Sequence, residues 1–299
     1  MGLIRARGGA VLILFALFTS GGCNCSPASE ACSAPFREPP HRIISLAPSA
    51  TEILFALGAG PQVVGRTSYA DYPPAARRLP SVGGVQLDLE SLVALAPDLV
   101  VAESITSPDV VRRLRALGLN VLKVDSSNLD GYFKTLATLG LVTGHVAAAR
   151  NLSRTLHHKI ACLQRLIGRT PLARRPRVFV EIWNRPLQTA GAGTFIDDCI
   201  RLAGGRNIFH DLDGYPQVSP EALVVRDPQV VLLTSSTVAS FEAREAFAGL
   251  TAVRDHAVHA VLADTMVRPS PRLVDTLGLL ANYLGVARLP MPLKSAPPQ

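Results

Sequence analysis

Short apolar, β-branched runs alternate with helical patterns along the chain from Arg42 onward. The runs that predict strands are Arg42–Leu46, Val63–Thr67, Leu99–Ala102, Leu119–Asp125, Val178–Ile182, Val230–Thr234 and Val258–Leu262. The segments that predict helices are residues 49–57, Leu92–Leu95, Val110–Leu117, Phe195–Ala203 and Pro271–Leu284. Because strands and helices alternate, the pattern predicts parallel sheets whose strands are connected by helices.

The first predicted helix has recognisable residues at both ends. Ser49 and Glu52 have the spacing of a capping box, in which the serine side chain accepts from the backbone N–H three residues on and the glutamate reaches back. Gly58 follows Leu57 and suits the conformation that ends many helices. We therefore expect the helix to end at Leu57.

One longer helix interrupts this alternation, from His145 to Ile167, a segment without proline. Its apolar positions recur at spacings of three and four: Val146, Ala149, Leu152, Leu156, Ile160, Leu163 and Ile167. This spacing fits one face of a helix of about six turns. The fold is therefore predicted as α/β, with two Rossmann-like lobes, each built on a parallel sheet, joined by one long backbone helix. The predicted boundaries are 41–144 for the N-terminal lobe, 145–168 for the linking helix, 169–290 for the C-terminal lobe and 291–299 for a tail.

The two predicted lobes contain one repeated pattern. Glu90–Val101 and Glu221–Leu232 each have a glutamate, a proline seven residues later and then an apolar run. Each copy predicts a short helix that begins at the glutamate and is followed by a buried strand. One glutamate at a helix start is explained by the helix dipole, which stabilises a carboxylate there. The recurrence of the whole pattern in both halves indicates two similar lobes. Between such lobes lies a cleft formed by loops at strand ends, where open α/β sheets bind ligands.

The few aromatic residues fall mainly in the predicted cleft loops. Tyr69 and Tyr72 follow a predicted strand, Trp183 directly follows another, and Tyr215 lies in a loop of the second lobe. Such rings can stack on a ligand while their polar atoms stay hydrated, although they can also simply cover loop backbone. We interpret Tyr69, Trp183 and Tyr215 as candidate ligand contacts.

Composition and motifs exclude several classes of function. The chain has 299 residues, of which 48% are hydrophobic and 18% charged, so it is not a disordered protein. Its net charge of +7 is not gathered into basic clusters with aromatic residues, which argues against nucleic-acid binding. No catalytic motif and no dinucleotide or phosphate loop is present. The spacing of His256 and His259 is too weak a signal to predict a metal site. From these missing motifs we expect no enzyme activity, no cofactor and no metal.

The N-terminus predicts export. Arg5 and Arg7 precede an apolar run, Ala10–Phe18, and small residues follow, so residues 1–22 are predicted as a signal peptide. Cys23 then stands where a bacterial lipoprotein carries its lipid, although ordinary cleavage remains an alternative because Ser20 replaces the usual leucine. Residues 23–40 are predicted as a flexible tether between the membrane and the first lobe. The other cysteines are Cys25, Cys32, Cys162 and Cys199, whose pairing the sequence does not assign.

Several motifs in one order resemble the substrate-binding proteins of ABC importers whose lobes are joined by a helix. They lie within residues 41–285: Arg42–Glu52, Ser68–Pro74, Val93–Val100, Pro216–Ser219 and Ser270–Arg272. Within this family the resemblance is strongest to the vitamin B12-binding members. It implies a monomeric receptor outside the cytoplasm that captures cobalamin or a related corrinoid. Its partner would be an ABC permease with its ATPase.

The resemblance also implies roles for individual residues. Tyr69 and Tyr215 match aromatic contacts to the corrin, and Asp264 with Arg268 match a polar pair at its edge. Glu90 and Glu221 match glutamates that dock onto arginines of the permease.

The chain departs from the B12-binding pattern at three places. Residues 83–85, Glu103 and Thr265 stand where those proteins have tryptophans. A ferric siderophore or haem on the same scaffold therefore remains an alternative ligand.

Overall fold

The computed structural model describes residues 38–168, 171–261 and 263–287, all within one compact unit, Ala34–Gln299. The predicted signal peptide, the lipidation site Cys23, most of the tether with Cys25 and Cys32, and the tail 291–299 lie outside the described residues.

The N-terminal lobe is a parallel sheet with helices on both faces. Its elements are β1 (Ile43–Ser45), α1 (Pro48–Ala56), β2 (Val63–Arg66), α2 (Leu89–Ala94), β3 (Leu99–Glu103), α3 (Pro108–Ala116), β4 (Val121–Val124) and α4 (Leu129–Val142). The strand order is β2-β1-β3-β4. Successive side chains of a strand point to opposite faces, so Ile43 packs with α1 and α4 and Ile44 packs with Leu92 and Leu114. Both faces are covered, which explains why the strands are continuous apolar runs.

The C-terminal lobe repeats this arrangement. Its strands are β5 (Arg177–Glu181), β6 (Trp183–Asn184), β7 (Leu187–Gln188), β8 (Arg206–Asn207), β9 (Val230–Leu233) and β10 (Val258–Ala260). Its helices are α6 (Phe195–Leu202), α7 (Pro220–Arg226), α8 (Val238–Glu242), α9 (Thr251–Arg254), α10 (Ala263–Met266) and α11 (Leu273–Tyr283); the number α5 is kept for the helix between the lobes, Val146–Ile167. The parallel sheet has the order β10-β9-β5-β8, and β6 and β7 form a separate antiparallel hairpin. Read from the other edge, this is the order of the first lobe.

The long helix α5 belongs to both hydrophobic cores. Ala149 and Leu156, in its first half, pack in the N-terminal core, whereas Ile160 and Leu163 pack in the C-terminal core. At 22 residues it is about 33 Å long and ends at Gly168, whose φ is +74°. Two separate parallel sheets on one helix confirm the predicted fold class.

One local prediction is wrong: Ser49 and Glu52 do not form a capping box. Helix α1 begins one residue earlier, at Pro48, with Ala47 at the N-cap and no side-chain cap. Proline suits the first helical position because its fixed φ is helical and its missing N–H is not needed there. Ser49 and Glu52 instead contact other elements, Ser49 through Glu103 and Glu52 through Arg272.

The two described cysteines, Cys162 and Cys199, are both free thiols. Burial raises the pKa of Cys199 far above its ordinary value, with a smaller contribution from the charge of Asp198. Among the described helices, none combines the length and the apolar character needed to span a bilayer.

Candidate functional site

The carboxyl ends of the N-terminal strands face the C-terminal lobe, and contacts at both edges of the sheet show this. After β2, Asp71 accepts a 2.8 Å hydrogen bond from Nη1 of Arg268, which lies between α10 and α11. After β4, the carbonyl of Ser127 accepts a 2.6 Å bond from the amide of Phe195 at the start of α6. Since β2 and β4 are the edge strands, the ends of β1 and β3 lie between these two contacts. These strand ends and the facing loops define the cleft between the lobes.

Three aromatic side chains remain open to solvent on the loops of the cleft. The exposed fractions are 54% for Tyr69, 56% for Trp183 and 43% for Tyr215. Trp183 lies on the β6–β7 hairpin, where its Nε1 donates a 3.0 Å bond to the carbonyl of Arg185. Gln188, its partner in the hairpin, donates a 2.9 Å bond to the carbonyl of Tyr215. The structure therefore places Trp183 and Tyr215 on neighbouring segments of one lobe, and Tyr69 on the other lobe.

Tyr72 differs from these three rings because it already has a partner. The guanidinium of Arg272 lies 4.2 Å from the centre of its ring, within the range of a cation–π contact. This contact joins the two lobes, so Tyr72 serves their association.

Arg268 and Asp264 form the polar pair that the resemblance implies, at 2.7 Å. Arg268 is only 12% exposed and also pairs with Asp71 at 2.8 Å and approaches Glu52 at 3.6 Å. Burial opposes ionisation of Asp71, but the hydrogen bond and charge of Arg268 hold its pKa below the ordinary value. Whether the pair contacts a ligand stays a prediction, whereas its bridge to the N-terminal lobe is a feature that the sequence pattern did not indicate.

Glu52 and Arg272 form a second ion pair between the lobes. Nε and Nη2 of Arg272 donate to the two carboxylate oxygens of Glu52 at 2.9 and 2.6 Å. The Glu52 side chain is 1% exposed, so its carboxylate is buried in this contact. Burial alone would lower the pKa of Arg272, but the hydrogen bonds that Arg272 donates to Glu52, together with the charge of Glu52, raise it. The pair fixes the first helix of one lobe against the last helix of the other.

Glu103 is the last residue of β3, a central strand between β1 and β4, and therefore lies at the carboxyl end of the N-terminal sheet. The Ser49 hydroxyl donates to Oε1, and the backbone amide of Ser126 donates to Oε2 at 3.3 Å. Burial, opposed by these donors, raises the pKa of Glu103.

Glu90 and Glu221 occupy equivalent places in the two lobes. Both are exposed, and both are the second residue of a short helix, in α2 and α7. Asp88 and Ser219 cap these helices by accepting the amides of the third helical residues at 3.1 and 3.2 Å.

The likeness of these segments extends to the backbone after each helix. Ala96 and Asp227, the residues before the two prolines, have φ of 43° and 40° although neither is glycine. The repeated sequence pattern thus corresponds to one repeated structure.

The two histidines near the C-terminus have separate environments. His256 is exposed, whereas His259 stacks on Tyr283 with 4.4 Å between ring centres. Over the residues that the structure describes, no three His, Cys, Asp or Glu side chains are grouped for metal binding.

A small pocket lies beside the cleft, between β4 and the start of α4. Its volume is about 240 Å³, and its lining includes Lys123, Asp125, Asn128, Lys134 and Thr138. Ligand pockets for drug-sized molecules are usually about 300–1,000 Å³, so this pocket is too small for a macrocycle.

Two parallel-sheet lobes on one helix, with a cleft at their facing strand ends, define a two-lobed substrate-binding protein. The profile of the periplasmic binding proteins matches residues 43–264. The chain belongs to this family, as the resemblance of its motifs predicted, and it is an extracytoplasmic substrate-binding protein.

Individual relatives agree with this assignment. The chain is 32% identical over 255 residues to the vitamin B12-binding protein of Vibrio cholerae, which covers 84% of this chain and 91% of that protein. The crystal structure of the periplasmic vitamin B12-binding protein of Vibrio cholerae is similar with a TM-score of 0.73 and 31% identity, over 83% of this chain and 98% of that one. A periplasmic haem-binding protein from Pseudomonas aeruginosa is similar with a TM-score of 0.74 and 27% identity, over 85% and 96% of the two chains.

Proposed function

We propose that the protein captures cobalamin or a related corrinoid between its lobes and delivers it to an ABC permease. The observation that carries this proposal is the set of solvent-open rings on both lobes, Tyr69 on one and Trp183 and Tyr215 on the other. Flat amphipathic rings suit the broad apolar faces of a macrocycle. The vitamin B12-binding relative supports the same ligand class, because it covers most of the chain.

The second candidate ligand is haem, with a ferric siderophore as a further alternative on the same scaffold. The likeness to a haem-binding structure supports haem. The glycines at 83 and 84 also support it, because they leave fewer rings in the cleft than the B12-binding pattern has.

Calorimetry separates these ligands. Purified protein lacking residues 1–22 is titrated in parallel with cyanocobalamin, haemin and a ferric hydroxamate siderophore. We expect cyanocobalamin to bind with a Kd of about 1 µM or tighter, which corresponds to about 8 kcal/mol. Absence of heat with every corrinoid, while haemin or the siderophore binds, would assign the protein to the second class.

Delivery to the permease is proposed to depend on Glu90 and Glu221. Each lobe presents one exposed glutamate on an equivalent helix, so the two charges can set the orientation of the protein on a partner with two similar halves. Replacing both (Glu90→Gln with Glu221→Gln) is expected to abolish corrinoid uptake by cells while the Kd stays unchanged. The control variant, Glu242→Gln with Glu245→Gln, removes the same charge elsewhere on the C-terminal lobe and should leave uptake intact.

We further propose that residues 1–22 direct export and that Cys23 carries the lipid anchor. Cys23→Ala is expected to release the protein from the membrane fraction without a change in ligand affinity. Protein that stays on the membrane after this change would contradict the anchor.

In this proposal the protein is a monomeric receptor and not an enzyme. Ligand recovered after prolonged incubation should be chemically unchanged by chromatography and mass spectrometry. A modified product would revive an enzymatic function.

A further inference from the structure

Glu103 lies in the floor of the cleft, at the end of a central strand. Its carboxylate joins two neighbouring strand ends: Ser49, after β1, donates from its hydroxyl, and Ser126, after β4, donates from its backbone amide. The side chain is only partly buried. Because Glu103 ends a central strand, we expect a ligand between the lobes to reach this carboxylate.

The same carboxylate lies beside the first turn of α1. This helix of nine residues begins at Pro48, and its N-cap, Ala47, has no side-chain oxygen to satisfy the first amides. A helix N-terminus attracts anions, because its free N–H groups and the helix dipole both favour negative charge. Glu103 places the chain's own anion at this position, linked to the helix through Ser49.

Unlike three other carboxylates of the cleft, Glu103 has no cationic neighbour, and the nearby charge of Asp125 has the same sign as its own. Asp71, Asp264 and Glu52 all lie within 4 Å of Arg268. No Lys, Arg or His nitrogen in the described part of the chain forms such a pair with Glu103. Its charge is therefore not neutralised within the protein.

We infer that Glu103 is a specificity-determining residue, which makes the cleft select a macrocycle edged by amides over one edged by carboxylates. Primary amides donate hydrogen bonds that a carboxylate accepts, whereas a ligand carboxylate brought next to Glu103 is repelled. Rejection by a like charge is an effective source of specificity. The residue also prevents an acidic ligand group from using the N-terminus of α1. This inference deepens the proposed function and rests on it.

The test uses two ligands with the same ring. Dicyanocobinamide carries amides on the corrin, and dicyanocobyrinic acid carries carboxylates in their place. The Kd of each is measured at pH 7.5 by calorimetry, for the wild-type protein and for Glu103→Gln. We expect the wild type to bind the amide ligand at least about tenfold tighter than the acid, which is about 1.4 kcal/mol or more. Glu103→Gln should reduce this ratio at least about fivefold, mainly through tighter binding of the acid.

Two further variants keep the result interpretable. Glu103→Ala removes the charge without replacing the amide-accepting atoms and should also reduce the ratio, which guards against misfolding of one variant. Glu245→Gln removes an exposed charge of the C-terminal lobe and should leave the ratio unchanged. Thermal unfolding confirms that each variant is folded.

The outcomes distinguish failure of the proposed ligand class from failure of the role of Glu103 alone. If wild-type protein binds neither corrinoid, the proposed function fails and this inference fails with it. If it binds the corrinoids but the ratio is the same in wild type, Glu103→Gln and Glu103→Ala, only the role of Glu103 is overturned.

Discussion

The two lobes have the same strand order, yet they treat a glutamate at the end of a central strand in opposite ways. In the C-terminal lobe, Glu181 ends β5 and is fully buried, and Arg244 pairs with it at 3.0 Å. In the N-terminal lobe, Glu103 ends β3, remains partly open to the cleft and has only neutral donors, from Ser49 and Ser126.

This difference separates a structural carboxylate from a functional one. A buried charge is tolerated when a partner and hydrogen bonds compensate for its desolvation, as Arg244 and Ser235 do for Glu181. In the N-terminal lobe, Glu103 has hydrogen-bond donors but no cation. The fold therefore repeats in the two lobes, while the chemistry at the strand ends does not.

The largest loss of stability is expected when the ion pair between Glu181 and Arg244 is broken. Arg244→Met leaves Glu181 buried without its cation and also removes the contacts of Arg244 with the rings of Phe241 and Phe247. We expect a loss of about 3 kcal/mol in the free energy of unfolding, measured by urea denaturation. The double variant Glu181→Gln with Arg244→Met should recover part of this loss, and equal losses in both variants would show that the charge pair is irrelevant.

A smaller loss is expected at the ion pair between the lobes. Arg272→Met leaves Glu52 with the longer ion pair to Arg268, at 3.6 Å, in place of the pair at 2.6 Å. It also removes the cation from the ring of Tyr72. The free energy of unfolding should fall by about 2 kcal/mol. Arg206→Met replaces an exposed arginine of the C-terminal lobe and serves as the control. Similar stability in both variants would contradict a structural role for the pair.

The sequence predicts local elements well and contacts between distant residues poorly. The seven predicted strands and α5 are confirmed because each has an apolar run or periodicity of its own, whereas the two-residue strands β6, β7 and β8 have none and were not predicted. Helix α4 was missed. Its Gly131 and Gly140 weaken the helical pattern, yet a Cβ at Gly140 would lie 2.3 Å from the Cβ of Ala149, so glycine permits the close approach of α4 to α5.

The contacts across the cleft were less predictable, because the paired residues lie far apart in the sequence. Glu52 and Arg272 are 220 residues apart, and Asp71 and Arg268 are 197 residues apart. No local sequence pattern predicts pairs of residues so far apart. The misassigned capping box followed from this, because Ser49 and Glu52 are used by tertiary contacts and not by their own helix.

The pH dependence of stability sharpens the difference between the two glutamates. Burial raises the pKa of Glu103 above its ordinary value of 4.5, so the folded state binds this proton more tightly than the unfolded state does. Relative to Glu103→Gln, the wild-type protein should therefore be most stable below pH 4.5, lose stability as the pH rises through the raised pKa, and stay level above it. Chemical denaturation of both proteins over this range measures the effect. A difference that grows in favour of wild type with rising pH would contradict it.

The smallest effect is expected at the exposed glutamates. Glu90→Gln and Glu221→Gln remove solvated charges at helix starts, so each should change the free energy of unfolding by no more than about 0.5 kcal/mol. Their expected loss of uptake would then reflect docking alone. A large loss of stability in either variant would remove this interpretation.

Trp183 provides the most direct measurement, because it is the only tryptophan of the chain and lies on the cleft hairpin. Corrinoids absorb where tryptophan emits, so a corrinoid bound between the lobes must quench its fluorescence. Cyanocobalamin is added to the protein and, as a control for light absorption by the ligand, to free N-acetyltryptophanamide. We expect quenching that saturates at one ligand per protein and is absent from the control. Binding by calorimetry without quenching of Trp183 would place the ligand outside the cleft and contradict capture between the lobes.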